Sequence, residues 1–281
     1  MTPLLVALVL AAALLHAVWN AMAKSGGQPE LSIASYQLVG SVICIALVPL
    51  IPAPDPASWK FLFASVVIHN VYYFALARAY RSGDLSQIYP LVRGLAPVLV
   101  TLAAAVFAGE WLAPGVVLGI ALVSAGVVSL AFMGRHLGVM SPAGRRWALI
   151  TSVLIGLYTV TDGLGVRAAG SEIGYIAWLF VFEVVPIGSI IAVTQARAWI
   201  AYLRGAPARA LGGGIASSCA YGLVIFAMSL GPMAIVSSLR ETSVIFAALI
   251  GSLFLREPFS RARIRAAILV AAGVIAMRLL G

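Results

Sequence analysis

Hydrophobic residues run along this chain in long blocks and not in alternation. Ten blocks stand out, at roughly 3–23, 31–51, 57–79, 85–108, 113–133, 147–167, 173–195, 210–229, 234–255 and 262–280. Each approaches the ~20 residues that a helix needs to cross the hydrocarbon core of a bilayer. Without two-residue alternation they cannot form a lipid-facing barrel, so helices are the remaining way to satisfy the backbone inside lipid. The breaks carry turn chemistry: Gly26-Gly27-Gln28-Pro29, the proline-rich stretch Pro52–Pro56, Gly83-Asp84, Ser141-Pro142-Ala143-Gly144, Gly205-Ala206-Pro207 and Gly231-Pro232. The first block begins without positive charge and carries His16, Trp19, Asn20 and Lys24 at its far end. It reads as a retained helix, not a signal peptide.

The pattern recurs. A displacement of 147 positions lays Arg93 on Arg240, Phe107 on Phe254, Glu110 on Glu257 and Gly126 on Gly273 without a gap. Each copy is an apolar helix with an arginine a few turns inside, a glutamate at its far end and a second apolar helix behind it. The expected fold is an all-α integral membrane protein whose ten transmembrane helices form two five-helix repeats around a central cavity. The repeats cover 1–133 and 147–281, with a connecting loop at 134–146. Five crossings per half make the two halves inverted relative to each other. Spans five and ten, with Gly115, Gly119 and Gly126 in one and Ala266, Ala267, Ala271, Ala272 and Gly273 in the other, read as packing scaffold.

Composition supports the membrane reading: 62% of the 281 residues are hydrophobic and 10% are charged, with a mean hydropathy of +1.06, more apolar sequence than a soluble core of this size requires. The net charge of +9 lies in short loops, with no basic run or aromatic platform for a nucleic-acid partner. Of the 18 basic residues, 13 follow odd-numbered spans and 3 (Lys60, Arg167 and Arg278) lie on the opposite side. The positive-inside rule then puts both termini outside. Cys44 and Cys219 lie in apolar runs and read as small hydrophobes, and His16, His69 and His136 lack metal-ligand spacing. No cofactor is expected. A Walker-type loop is missing, as are HExxH and GxSxG patterns, so neither ATP drive nor enzyme activity is expected.

The remaining polar residues inside the spans are the candidate chemistry. Arg93 and Arg240 lie about two turns into spans four and nine, and a charge there costs about 2.5–3.5 kcal/mol on insertion scales, so it faces a cavity or a partner. They are either ligands for a substrate anion or members of structural ion pairs with Glu241, Asp162 or Glu183. Those three acids are candidates for holding a substrate ammonium or carrying a coupled proton. His16, Trp19 and Asn20 share one helical face, and His69 and Tyr73 share another with Tyr72. Tyr89 falls on the Arg93 stripe, and Tyr158 with Asp162, Tyr221 and Ser237 come from the second half. Pro90 and Pro97 bend span four and are candidate gating elements. Trp59, Trp111, Trp147 and Trp199, at span ends, read as interface anchors. Glu110 and Glu257 stand at helix junctions and read as braces or caps.

Several of these residues sit in a recognisable setting. His16-Ala17-Val18-Trp19-Asn20-Ala21 with Lys24, the run Tyr80-Arg81-Ser82-Gly83-Asp84-Leu85-Ser86-Gln87-Ile88-Tyr89-Pro90, then Arg93-Gly94-Leu95-Ala96-Pro97 and the Gly109-Glu110 end resemble the ten-helix, EamA-type members of the drug/metabolite transporter superfamily. The resemblance spans the whole chain. It is weaker in the second half, where Arg256-Glu257 stands in place of Gly-Glu and Val244 in place of a proline. It implies an inverted five-plus-five repeat, a cavity lined mainly by spans one, three, four, six, eight and nine, and peripheral fifth and tenth helices. The resemblance implies both termini in the cytoplasm, as in many such relatives, the reverse of the charge count here.

Taken together, the expectation is a monomeric secondary transporter in a bacterial inner membrane, exporting small metabolites, amino acids foremost, by alternating access. Export of organic anions such as phosphorylated or phosphonate metabolites is the alternative. A lipid-carrier flippase subunit is the reading from another class.

Overall fold

The computed structural model describes residues 1–25, 29–82, 85–132, 140–254 and 261–280. Most of the connecting loop, Gly83-Asp84 and Arg256-Glu257 lie outside the described residues. Among those described, the chain is helical throughout: α1 (Pro3–Ser25), α2 (Pro29–Leu47), α3 (Pro56–Arg81), α4 (Leu85–Ala108), α5 (Pro114–Ser129), α6 (Pro142–Arg167), α7 (Glu172–Thr194), α8 (Ala196–Gly205), α9 (Pro207–Leu230), α10 (Met233–Arg240), α11 (Ser243–Phe254) and α12 (Arg261–Leu279). Proline opens α3, α5, α6 and α9 at the first turn, where its missing N–H costs nothing. Eight of the described helices are long and apolar enough to cross a membrane. α10 and α11 follow end to end to make a ninth crossing, and the 19 residues of α12 a tenth.

The packing has internal two-fold character. α3 packs chiefly on α6 and α1 on α9, α4 lies against α6 as α10 and α11 lie against α1, α2 pairs with α7, and α5 pairs with α12. Within α5 and α12, Gly115 lies beside Leu280, Gly119 beside Met277 and Gly126 beside Ala266, an antiparallel register. The fifth helix of each half therefore runs opposite to the other, as inversion requires. Leu5 lies against Gly231 and Leu280 against Gly115. Both ends of the chain thus emerge on one face, and exposed Arg78, Arg81, Arg145, Arg146, Arg197, Arg204 and Arg265 mark the other.

Two elements differ from the pattern-based expectation. Span nine is not one helix. It breaks at Glu241-Thr242, where the amides of both residues turn back to Ser238 and Leu239 in three-residue bonds, and a side-chain hydroxyl, Thr242 Oγ1, also takes the Leu239 carbonyl. The break contains neither glycine nor proline, so residue type alone does not announce it. The second difference is α8. It is amphipathic: Trp199 and Tyr202 face inward, and Arg197, Ile200 and Arg204 face outward. Trp199 is accordingly not a free interface anchor. Its indole N–H donates to Ser35 Oγ at 2.9 Å, and the Tyr202 hydroxyl meets Ser32 Oγ at 2.9 Å, docking α8 on the start of α2.

The α5–α12 seam is glycine-dependent. A Cβ on Gly273 would stand 2.5 Å from the Gly119 carbonyl oxygen and 2.9 Å from the Val123 nitrogen, both backbone atoms. Gly273→Ala is expected to destabilise the fold by about 1–3 kcal/mol through overpacking, read as a lower thermal midpoint in detergent. Gly205→Ala, at a position with nothing within 4 Å, is the control and is expected to shift the midpoint far less.

Candidate functional site

Three polar centres lie in the helical interior. The first gathers Arg93 from α4 and Arg240 from α10 around Glu241, at the helix break. The residues are 7%, 3% and 0% exposed. Arg93 Nη2 lies 2.8 Å from Glu241 Oε1 and Arg240 Nε lies 3.9 Å from the same oxygen. The contacts are close but not aligned as hydrogen bonds. Nε and Nη2 of both arginines, both Glu241 oxygens and Ser237 Oγ are buried without a hydrogen-bond partner. Inserting each charge costs about 2.5–3.5 kcal/mol, and one carboxylate offsets one guanidinium, so a full positive charge with unused donors remains. His16 and Tyr89 lie within electrostatic range of both arginines. Trp19 sits behind His16, edge-on with ring centroids 5.1 Å apart. Asn20 spends its amide on the His16 carbonyl of its own helix at 2.7 Å.

The second centre is Asp162 on α6, wholly buried. Its Oδ1 accepts from the Tyr175 hydroxyl at 3.1 Å and its Oδ2 from the Tyr221 hydroxyl at 2.5 Å. His69, whose Nδ1 lies 3.0 Å from the Ser65 carbonyl, is within electrostatic range of the carboxylate, and the Ser65 hydroxyl also faces it. Tyr158 stacks on His69 at 4.1 Å between centroids, and Tyr221 stands edge-on to both rings. These rings form an aromatic box between the first centre and the third.

The third centre is Glu183, in mid-helix on α7. Its Oε1 accepts from the Tyr73 hydroxyl at 3.0 Å, and Tyr73 in turn accepts from Gln37 Nε2 at 2.5 Å. Gln37 Oε1 is buried without a partner. Pro90 and Pro97 both lie inside α4, one on each side of Arg93, and the helix remains continuous across them.

Of the residues singled out from the sequence, His16 and Tyr89 lie near the Arg93–Arg240–Glu241 cluster, His69, Tyr158 and Tyr221 gather at Asp162, and Tyr73 joins Glu183, while Asn20 bonds its own helix. Gln37, Ser65 and Tyr175 were missed. A lone glutamine in an apolar span is a signal in its own right. Ser65 and Tyr175 become visible only once α3, α6 and α7 are packed. A groove of about 360 Å³ between α4 and α6, lined by apolar groups including Leu99, Leu102, Val106 and Leu157, lies apart from all three centres. It suits lipid chains and not a polar ligand.

The sequence profile of the EamA-like transporter family matches residues 3–132 and again residues 143–279. The chain belongs to the EamA-like transporter family. Within the drug/metabolite transporter superfamily, an EamA-like chain is a membrane transporter of small molecules. A crystal structure at 20% sequence identity aligns with a TM-score of 0.80, over 98% of this chain and 96% of its own, a likeness of fold. No curated protein sequence matches the chain.

At the chain-end face this EamA-like protein carries a brace. Arg167 Nη2 lies 2.6 Å from Glu110 Oε1, Arg167 donates to the carbonyls of Met228 and Gly231, and Glu110 Oε2 accepts the Met233 amide at 2.9 Å. Glu110 is therefore the cap of α10 and ties α4, α6, α9 and α10 together, the bracing role its junction position suggested. Its repeat partner Glu257 lies outside the described residues. Glu110→Ala removes the cap and is expected to cost about 0.5–2 kcal/mol, measured as a lower thermal midpoint. Glu110→Gln, which keeps an acceptor for the Met233 amide, is expected to lose less.

Proposed function

We propose that this protein is a secondary transporter that exports small zwitterionic metabolites, amino acids foremost, by alternating access, with the substrate carboxylate held by Arg93 and Arg240. The observation that carries this reading is the pair of buried guanidiniums sharing one carboxylate, with donors left over. Guanidinium is a fixed charge with a planar fork that fits a carboxylate bidentately. The walls are aromatic: Tyr89, Tyr158, His69 and Tyr221. The halves 1–133 and 147–281 rock about this centre, with the proline-flanked segment of α4 as one moving part. The charge asymmetry supports both termini outside, and we take the protein to be a monomer in a bacterial inner membrane.

The excess positive charge also favours an organic anion, such as a phosphonate or phosphorylated metabolite, as a second reading. Competition by anions without an amino group separates the two. Uptake into proteoliposomes of a labelled amino-acid panel, with and without a pH gradient, tests the first. Arg93→Ala and Arg240→Ala, made singly at normal expression, are each expected to lower the initial rate about tenfold or more, a loss of ~1.4 kcal/mol or more in transition-state or binding free energy. Normal rates in both variants rule the carboxylate assignment out.

Among the acids, Glu241 serves the arginines. Asp162 has both oxygens engaged and no exposed surface, so a proton is the one cation it has room to take. Tyr175 from α7, Tyr221 from α9, Ser65 and His69 from α3 and Tyr158 on its own helix are the groups that face it. Asp162→Asn is expected to abolish the response of transport to an imposed pH gradient while substrate exchange persists. An unchanged response assigns coupling elsewhere.

A further inference from the structure

The third centre has the opposite character to the first: it is rich in acceptors, with the Glu183 carboxylate hydrogen-bonded by Tyr73 and Gln37 and carrying no cationic partner among the described contacts. Tyr73 has a single hydroxyl proton and gives it to Glu183. The Gln37 amide must then turn its NH2 toward Tyr73, which fixes the amide orientation and leaves its carbonyl oxygen, buried, with no donor. Glu183 keeps 7% of its surface accessible, as Arg93 does, so neither is completely sealed. A carboxylate beside an orphaned carbonyl is complementary to an ammonium group, which brings three donors and a positive charge.

The two poles lie apart. Tyr72 is within electrostatic range of Arg93, and Tyr73, its ring 5.1 Å away, bonds Glu183. Tyr158 feels charge from both poles. Both arginines have Glu241 as their ion-pair partner, whereas Glu183 bonds Tyr73. An α-ammonium sits one carbon from its carboxylate and cannot span this aromatic partition. Asp162 is not an alternative seat, because tyrosine hydroxyls occupy both its oxygens, and Glu241 is held between two arginines.

We propose that Glu183 and Gln37 form an amine subsite, and that the preferred substrates carry an amine several bonds from the carboxylate, as basic amino acids and ω-amino acids do. This rests on the assignment of Arg93 and Arg240 to the carboxylate and adds the far end of the ligand. The subsite selects against neutral amino acids of the same length, because an apolar tail leaves the Gln37 carbonyl oxygen without a donor and the Glu183 carboxylate without a counter-charge.

Matched ligand pairs test it on the full-length protein in nanodiscs by calorimetry: lysine against norleucine, and 5-aminopentanoate against pentanoate. The amine-bearing member of each pair is expected to bind about tenfold tighter or more, and Glu183→Gln and Gln37→Leu are expected to bring that ratio toward one. Equal binding within each pair overturns the amine subsite and leaves the carboxylate reading standing. A tenfold preference that survives both substitutions also overturns it, by placing the amine elsewhere. If no carboxylate binds to protein that still unfolds cooperatively, the carboxylate reading falls and this inference falls with it.

Discussion

Two arginines inside a membrane must be answered by something, and one glutamate is not enough. The Arg93–Glu241–Arg240 cluster is the constraint around which the interior is arranged. Arg93 and Arg240 come from equivalent places in the two repeats, so inversion brings them in from opposite faces to one locus. Glu241 follows Arg240 directly, and the crossing breaks there. From this break Glu241 reaches Arg93 at 2.8 Å, and Arg240 Nε lies 3.9 Å from the same carboxylate oxygen. A broken helix deep in a bilayer is tolerated where protein or an internal cavity surrounds it, and every residue from Met233 to Ser243 is buried.

The two halves solve the same problem differently. In α4 the arginine is followed by Gly94, and Pro90 and Pro97 flank it without ending the helix. In the second half the arginine is followed by an acid, Val244 replaces the proline, and the helix ends. The glutamate brace at the chain-end face holds the start of α10 through a side-chain cap and an ion pair to Arg167. The repeat is thus symmetric in packing and asymmetric in charge. That asymmetry gives the interior a cationic pole near the arginines and an acceptor-rich pole near Glu183.

Much of this was legible in the sequence, for physical reasons. Lipid demands long apolar helices, so nearly all the crossings announce themselves by block length, and intramembrane charge is costly enough that Arg93, Arg240, Asp162, Glu183 and Glu241 stand out as functional candidates. What was not legible depends on neighbours distant in the chain. The break at Glu241-Thr242 carries no local breaker, and Arg93, the partner of Glu241, lies 148 positions earlier. α8 is too short to be seen as a span, and its face is defined by Ser32 and Ser35. The partition of the three acids, one given to arginines, one to two tyrosines, one to a single tyrosine and an amide, needs the packed helices.

The cross-pairing of α1 with α9 and of α3 with α6 has a genetic consequence. The first and third helices of each half find their main partners in the other half, so the halves are interlocked and not merely joined. A gene fragment encoding one half would make a protein whose largest helix contacts are unmade. In the whole chain the other half, of opposite orientation, supplies them. Two units of opposite orientation within one polypeptide need not stay identical, and here an arginine is followed by glycine on one side and by glutamate on the other.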